Sequence, residues 1–292
     1  MYICYNYVMK LKLFFILFFI TILGIIFSQN KTTENDVFDN LFIDNHFKVD
    51  EKFYIPICEC NINGENAERK LNDHEIEHYT GFSLCYREKY EQAEWVAYKL
   101  TRDDLVKKVN RSRKFIQDYN ISTDSATTDD YRDSGYDRGH LVPAGDMVRS
   151  FVTMKDSFRM SNVSPQHPKL NQGLWVKAEE HVRNWAHWYG TVYVITGPIL
   201  EKEPDEYERI GYNKVVVPEY FYKIMLAPKL KNGKQIGWNS FAIIMENRNL
   251  GGKLKDYEVS IDEIEMRTGL DFFSLLDDKT ENEIESYISQ KK

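Results

Sequence analysis

Apolar residues at Leu174, Ala178, Val182, Trp185 and Tyr189 recur at intervals of four, four, three and four, the spacing of one face of a helix that begins near Leu170. A second row, Asn171, Trp175, Glu179 and Arg183, repeats every four residues and forms a slowly drifting stripe on another side of that helix. Strand patterns surround it. Residues 95–100 alternate, and residues 192–196 and 215–217 are apolar and β-branched, as interior strands are. Residues 221–227 and 238–245 add two more sheet segments, while residues 120–133 are polar and predict a loop. Ser260, with Glu263 three positions on, marks the start of a further helix, and Gly269 its stop. The Glu- and Lys-rich tail, residues 277–292, predicts a solvated helix with Ile284 and Ile288 on one side. Mixed strand and helix patterns without an internal repeat place the chain in the α+β class.

The N-terminus follows a different rule. Lys10 and Lys12 precede a nearly unbroken apolar run over residues 13–27, and Ser28 and Gln29 open a polar region. That is the order of a secretory signal, with Met9 as an alternative start. The run is short for a membrane span, so residues 1–28 read as a signal peptide, or in the second reading as an uncleaved membrane anchor. The expectation is a secreted or periplasmic protein with no stable membrane association once the signal is removed. Residues 29–90 are acidic and poorly periodic and read as a peripheral extension; residues 91–292 read as one compact domain. Beyond the apolar run only Cys58, Cys60 and Cys85 remain. Cys58 and Cys60 are too close for a comfortable mutual bond, so one of them is expected to bond Cys85, leaving one thiol free or used between chains. A CxC metal site is the rival, without a CxxC or paired histidines to support it.

Chemistry concentrates in residues 136–147. Asp137 beside Arg138 holds a guanidinium in place, Gly139 lets the backbone pass close to its neighbours, and His140 follows as a general base, a design suited to attacking a phosphodiester. A lone histidine is equally an ordinary satisfied residue. Asn171 reads either as a helix cap or as a neutral oxygen ligand for a hard divalent cation that keeps most of its water. Glu179 and Arg183 read either as an intrahelical ion pair worth about 0.3 to 0.5 kcal/mol, or as a holder of metal-bound water and an arginine that orients it or faces phosphate.

Five segments, EWVAYKLT (94–101), NRSRKF (110–115), DRGHLVPAGDM (137–147), MSNVSPQ (160–166) and LNQGLW (170–175), resemble the DNA/RNA non-specific endonuclease family, the secreted bacterial sugar-non-specific nucleases with a ββα-metal active site. VYVITGPI (192–199) and SIDEIEMRTGL (260–270) extend the similarity, in family order, from about residue 90 to about residue 275. The resemblance implies a central, mostly antiparallel sheet flanked by helices, with a ββα-metal catalytic unit. It implies His140 as general base, Asn171 as direct Mg2+ ligand (Mn2+ being a substitute) and Glu179 as the carboxylate that helps organise the metal's water shell. It further implies Arg113 as the arginine that stabilises the transition state, Arg138 and Arg183 as active-site arginines, and Asn162 and Asp137 in supporting roles. DNA and RNA would both be cut, to 5'-phosphate products, and homodimers occur among such nucleases. Contacts made mainly to phosphate explain indifference to sequence.

Composition enters as an objection. The formal net charge is -7, and -9 without Lys10 and Lys12, where a nucleic-acid binder is expected to be basic. A local cleft suffices, and Arg111, Arg113, Arg132, Arg138, Lys155 and Arg159 lie close enough in sequence to suggest one. Two rivals remain: a phosphoesterase acting on small nucleotide substrates, and a non-catalytic exported nucleic-acid-binding protein. The pairing of His140 with Asn171 speaks against the second, because a binding groove needs no such combination.

Overall fold

The computed structural model describes residues 54–56, 70–71 and 73–289. The N-terminal apolar run, Cys58 and Cys60 lie outside the described residues, and with them the signal and the disulfide expectation. Among the described residues no helix is long and apolar enough to cross a membrane.

Twelve strands are present among the described residues: β1 (Lys70–Leu71), β2 (His74–His78), β3 (Ser83–Arg87), β4 (Gln92–Thr101), β5 (Asp137–His140), β6 (Val163–Gln166), β7 (Thr191–Ile199), β8 (Arg209–Ile210), β9 (Val215–Val216), β10 (Tyr220–Lys231), β11 (Lys234–Glu246) and β12 (Glu258–Val259). Eight of them form one sheet in the order β1-β2-β3-β4-β7-β10-β11-β12, with every neighbouring pair antiparallel. β5 with β6, and β8 with β9, form two separate ladders. Among the described residues the α-helices are α1 (Phe151–Ser157), α2 (Trp175–Tyr189), α3 (Ile261–Thr268) and α4 (Asp278–Glu285).

Both faces of the sheet are covered, which is why its central strands read as apolar runs. On one face Val96, Tyr98, Leu100, Val194, Phe221 and Met225 pack against Ala178, Val182, Trp185 and Ala186 of α2. On the other, Trp95, Ala97, Ile195 and Tyr222 pack against Ile261 and Ile264 of α3, Phe272, and Ile284 of α4. Each large side chain buried this way contributes about 1.5 to 3 kcal/mol. The helix signals at the C-terminal end behave as their chemistry requires: Ser260 Oγ accepts from the Glu263 N–H at 3.1 Å, and Gly269 takes a left-handed φ of +70° that closes α3. Of the tail's two isoleucines, Ile284 is buried and Ile288 exposed.

Two regions are more ordered than their polarity suggests. β2 reads HEIEH, yet His74, Glu75 and Glu77 are buried: His74 Nδ1 bonds Glu94 Oε1 at 2.9 Å, Glu75 accepts from the Ser122 N–H at 3.0 Å, and beside them Arg87 bridges Asp73 and Glu94 at 2.9 and 3.0 Å. Thus β1 to β3, which precede residue 91, continue the same sheet. The polar stretch 120–133 is a packed loop: Asp130 is buried and accepts from Thr127 and Asn213, and Ile121 and Ala126 join the core.

Candidate active site

β5 carries the DRGH motif and pairs with β6 in the register Asp137↔Gln166, Arg138↔Pro165, Gly139↔Ser164 and His140↔Val163. Gly139 is dictated by this pairing, since a Cβ there would lie 2.5 Å from Gln166 Oε1 and 2.6 Å from Gln166 Cβ. No backbone ladder joins these two strands to the large sheet. Side chains tether them instead: Ser164 Oγ donates to Gln92 Oε1 of β4 at 2.5 Å, and Asn247 Nδ2 donates to the Pro165 carbonyl at 3.0 Å.

His140 ends β5 between two phenyl rings, with centroid distances of 5.0 Å to Phe115 and 4.8 Å to Phe158. Only 9% of it is exposed, and its Nε2 is buried with no hydrogen-bond partner. Two cations sit on the rings that enclose it: Arg138 lies 4.8 Å from the Phe115 centroid and Arg111 5.5 Å from that of Phe158. Burial first, then these two guanidinium groups, lower the imidazole to about 3, so it is neutral at any physiological pH. The segment holding Phe115 is fixed by the Ile116 N–H donating to the Phe158 carbonyl at 3.0 Å and the Met160 N–H donating to the Ile116 carbonyl at 2.9 Å.

Asn162 is wholly buried and staples the turn after His140. Its Oδ1 accepts from the Val142 N–H at 2.9 Å, and its Nδ2 donates to the carbonyls of Val142 at 3.0 Å and Ser157 at 2.8 Å.

The third element of the unit is a π-type turn, Leu170–Leu174, running into α2; the backbone leaves helical geometry at Gly173, so α2 begins at Trp175 and not at Leu170. Asn171 does not cap it. Its Nδ2 donates to Asp137 Oδ2 at 2.8 Å, and Gln172 Nε2 donates to the same oxygen at 2.8 Å. Asp137 on β5 therefore fixes the Asn171 amide, with Oδ1 left as an acceptor. A single neutral oxygen held by a carboxylate fits a hard cation that retains its water.

Further along α2, Arg183 pairs across to Asp146, not within the helix to Glu179. Arg183 Nη1 donates to Asp146 Oδ1 at 2.9 Å, and Tyr98 OH donates to Asp146 Oδ2 at 2.8 Å. Asp146 is fully buried, and burial raises its pKa. Burial, reinforced by Asp146, pushes Glu179 up to about 7, opposed by Lys223, Arg183 and Arg111. Lys223 of β10 is itself fully buried, donates to Thr196 Oγ1 at 3.1 Å and lies 4.6 Å from the Trp175 ring centroid. Burial lowers it to about 8 against the pull of Glu179 and Asp146. Trp175, placed by its spacing in the polar stripe, is turned inward and wholly buried, 5.6 Å from the Phe221 ring.

The structure thus brings together His140 and Arg138, with Arg111 and the two phenylalanines, and separately joins Asp137 to Asn171 and Arg183 to Asp146. Arg113 is exposed, two residues before Phe115. Of the remaining cations in the suggested cleft, Arg159 is engaged by Asp118 at 2.8 Å and Asp156 at 3.0 Å, and Arg132 by Asp129 at 2.6 Å. Asp146, Lys223, Phe115 and Phe158 were not singled out by sequence reasoning; the signal for Asp146 lay in the DRGHLVPAGDM segment itself.

Residues 63–279 match the DNA/RNA non-specific endonuclease family. The chain belongs to that family. Members similar to it include the mitochondrial nuclease EXOG of Danio rerio, 31% identical over 207 residues that cover 68% of this chain and 60% of that protein. Mitochondrial endonuclease G of Bos taurus is 36% identical over 65% of this chain and 66% of its own length. Nuclease C1 of Cunninghamella echinulata var. echinulata is 34% identical over 68% of this chain and 82% of its own. A solved structure of the EndoG/EndoGI complex, described as showing the mechanism of EndoG inhibition, superimposes with a TM-score of 0.64 at 29% identity, over 73% of this chain and 91% of that one. The chain spans about 60% of the length of the EXOG proteins it matches. Enzymes of the non-specific endonuclease family depend on a divalent metal.

These relatives overturn the expectation of a secreted or periplasmic protein: the EXOG and endonuclease G proteins, and a Saccharomyces cerevisiae relative, are named mitochondrial nucleases. The expectation failed for a physical reason. Two lysines before a short apolar run describe a segment that partitions into a membrane, and nothing in that pattern specifies which membrane.

Proposed function

We propose that this chain is a metal-dependent endonuclease that hydrolyses phosphodiester bonds in DNA and RNA and leaves 5'-phosphate ends. One observation carries the reading: an imidazole held neutral at physiological pH, its Nε2 without a hydrogen-bond partner, ends the same short ladder that delivers Asp137 to the Asn171 amide.

In this reading the His140 imidazole accepts a proton from water as it attacks phosphorus. Burial between Phe115 and Phe158 keeps the ring oriented and excludes bulk water. Burial, the larger cause of its weak basicity, persists in the complex, but phosphate charge drawn to Arg138 and Arg111 offsets the share contributed by the two cations, so the ring gains basicity when the substrate is in place. Asn171 Oδ1 would hold Mg2+, with Asp137 fixing the amide, and Mn2+ would suit the same oxygen donor. Held there, a cation would supply Lewis-acid polarisation and charge compensation at the phosphate. Glu179 accepts hydrogen bonds from ordered water beside the scissile phosphate. Arg183, anchored through one nitrogen to Asp146, has its remaining donors for phosphoryl oxygens. Arg113, on the exposed segment leading to Phe115, closes on the phosphate in the complex, and Asn162 maintains the turn behind His140.

Circular plasmid and a small phosphodiester, each incubated with Mg2+, with Mn2+ and with EDTA, test the reading. Nicked and linear plasmid carrying 5'-phosphate ends, only when metal is present, is the expected result. Hydrolysis of the small ester alone would favour the phosphoesterase, and retention of intact plasmid would favour the binder. His140→Ala should abolish turnover while DNA binding persists. The relatives' names support a mitochondrial location, testable by fractionation of the tagged full chain, and light scattering tests the homodimer.

A further inference from the structure

On the face of the sheet opposite α2, helices α3 and α4 bring carboxylates together without a compensating cation. Oxygens of Asp262, Glu265 and Glu285 all lie within 4.8 Å of one another. Asp262 is exposed and Glu265 half-buried, but Glu285 is only 8% exposed, and its Oε1 is buried with no hydrogen-bond partner. One oxygen of Glu265 is taken by the Phe272 N–H at 2.8 Å. The charges that act most strongly on Glu285 are Glu265, Glu281, Asp262 and Asp271, every one of them acidic. Among the described residues no ion pair uses Asp262, Glu265 or Glu285; the nearby Arg267 is committed to Glu201 at 2.6 Å. Carboxylates this close cannot all ionise unless a counter-charge joins them. Burial and the acidic neighbours accordingly push Glu285 up to about 8 and Glu265 up to about 7.

We propose that Asp262, Glu265 and Glu285 form a structural Ca2+ site that fastens α4 to α3. The donor set is all carboxylate oxygen, without the nitrogen or sulfur that would select zinc. Ca2+ accepts carboxylates in one- or two-oxygen modes and in flexible geometry, whereas Mg2+ demands a near-octahedral shell and gives up water reluctantly. Two helices that each supply part of the donor set meet those terms. α4 is already seated on the sheet through Ile284 and through Ser240 Oγ, which donates to the Ile284 carbonyl at 3.1 Å. A cation at Glu285, the next residue, would lock that seat. The site is remote in the fold from Asn171 and independent of the nuclease reading.

Thermal unfolding of the full chain, first in EDTA and then with rising Ca2+, tests it. The midpoint should rise saturably, by roughly 5 to 10 °C at a hundred times the dissociation constant. The rise should persist in Asn171→Ala and vanish in Glu285→Gln; Asp262→Asn, at an exposed position, gives the same reading if Glu285→Gln does not fold. No response in the wild-type chain overturns the proposal, as does a response that survives both carboxylate variants or is lost in Asn171→Ala. An equal response to Mg2+ at the same concentration overturns the assignment to Ca2+. If Glu285→Gln stabilises the EDTA-treated chain and Ca2+ does nothing to the wild type, the carboxylates share protons instead and there is no site.

Discussion

Replacing His140 by phenylalanine should change how stability depends on pH. In the unfolded chain an imidazole titrates near 6.5, whereas in the folded protein burial and two guanidinium groups hold it at about 3. Because the folded value is the lower one, the unfolded state binds the extra proton between these limits. Stability is fully present above about pH 6.5 and is lost as the pH falls toward about 3. Between pH 8 and pH 5 the loss covers roughly 1.5 pH units at 1.36 kcal/mol each, or about 2 kcal/mol. Glu179, Glu265 and Glu285 are raised by burial and contribute with the opposite sign, gaining stability as the pH falls. They are common to both proteins and cancel in the difference. Phenylalanine preserves the ring packing, and since Nε2 has no partner, no protein hydrogen bond to that atom is broken. Urea unfolding of wild type and variant at pH 8 and pH 5 gives the measurement. The wild type should lose about 2 kcal/mol more than His140→Phe over that interval. Identical losses would mean that the imidazole is solvated and ordinary, and the account of a sealed neutral base would fail with it.

Other substitutions probe the neighbouring links. Asp137→Ala frees the Asn171 amide and should weaken apparent divalent affinity about 10- to 100-fold, read from activity against metal concentration; an unchanged metal requirement would refute the positioning role. Gly139→Ala drives a methyl into Gln166 and should cost about 1 to 3 kcal/mol, with part of the loss recovered in the double variant with Gln166→Ala. Asn162→Ala strips hydrogen bonds from buried backbone behind His140 and should cost about 3 kcal/mol in a denaturant titration; a loss below about 0.5 kcal/mol would show that water replaces the amide. Arg111→Ala and Arg138→Ala should each lower the slope of log affinity for DNA against log salt by about 1, measured under non-cleaving conditions, and an unaltered slope would remove that arginine from the phosphate contacts.

Periodicity served best where one face of an element is buried. The stripe Ala178, Val182 and Trp185 made α2 legible, and β-branched runs did the same for β7 and β9. The union of β5 with the turn before α2 was legible only through family motifs, because a bond between Asp137 and Asn171 spans thirty-four positions and leaves no trace in either local pattern. Three features escaped for related reasons. β2 is built from buried ionisable residues whose partners lie elsewhere in the chain, His74 on Glu94 of β4 and Glu75 on the Ser122 N–H, so its letters resemble those of a loop. Spacing offered Glu179 as the partner of Arg183, whereas tertiary packing supplied Asp146, thirty-seven positions away. Trp175 fell on the polar stripe by its period, yet an indole is too large and apolar to remain there when the Phe221 ring and the Lys223 ammonium offer partners for its ring.

The DRGH strand and its partner share backbone bonds only with each other and are moored to the eight-stranded sheet by side chains. Such a pair opens as its own cooperative unit, at a lower free energy than the scaffold that carries it. On warming, amide protons of residues 137–140 should therefore exchange, and hydrolysis should fade, while the circular dichroism of the sheet is still unchanged.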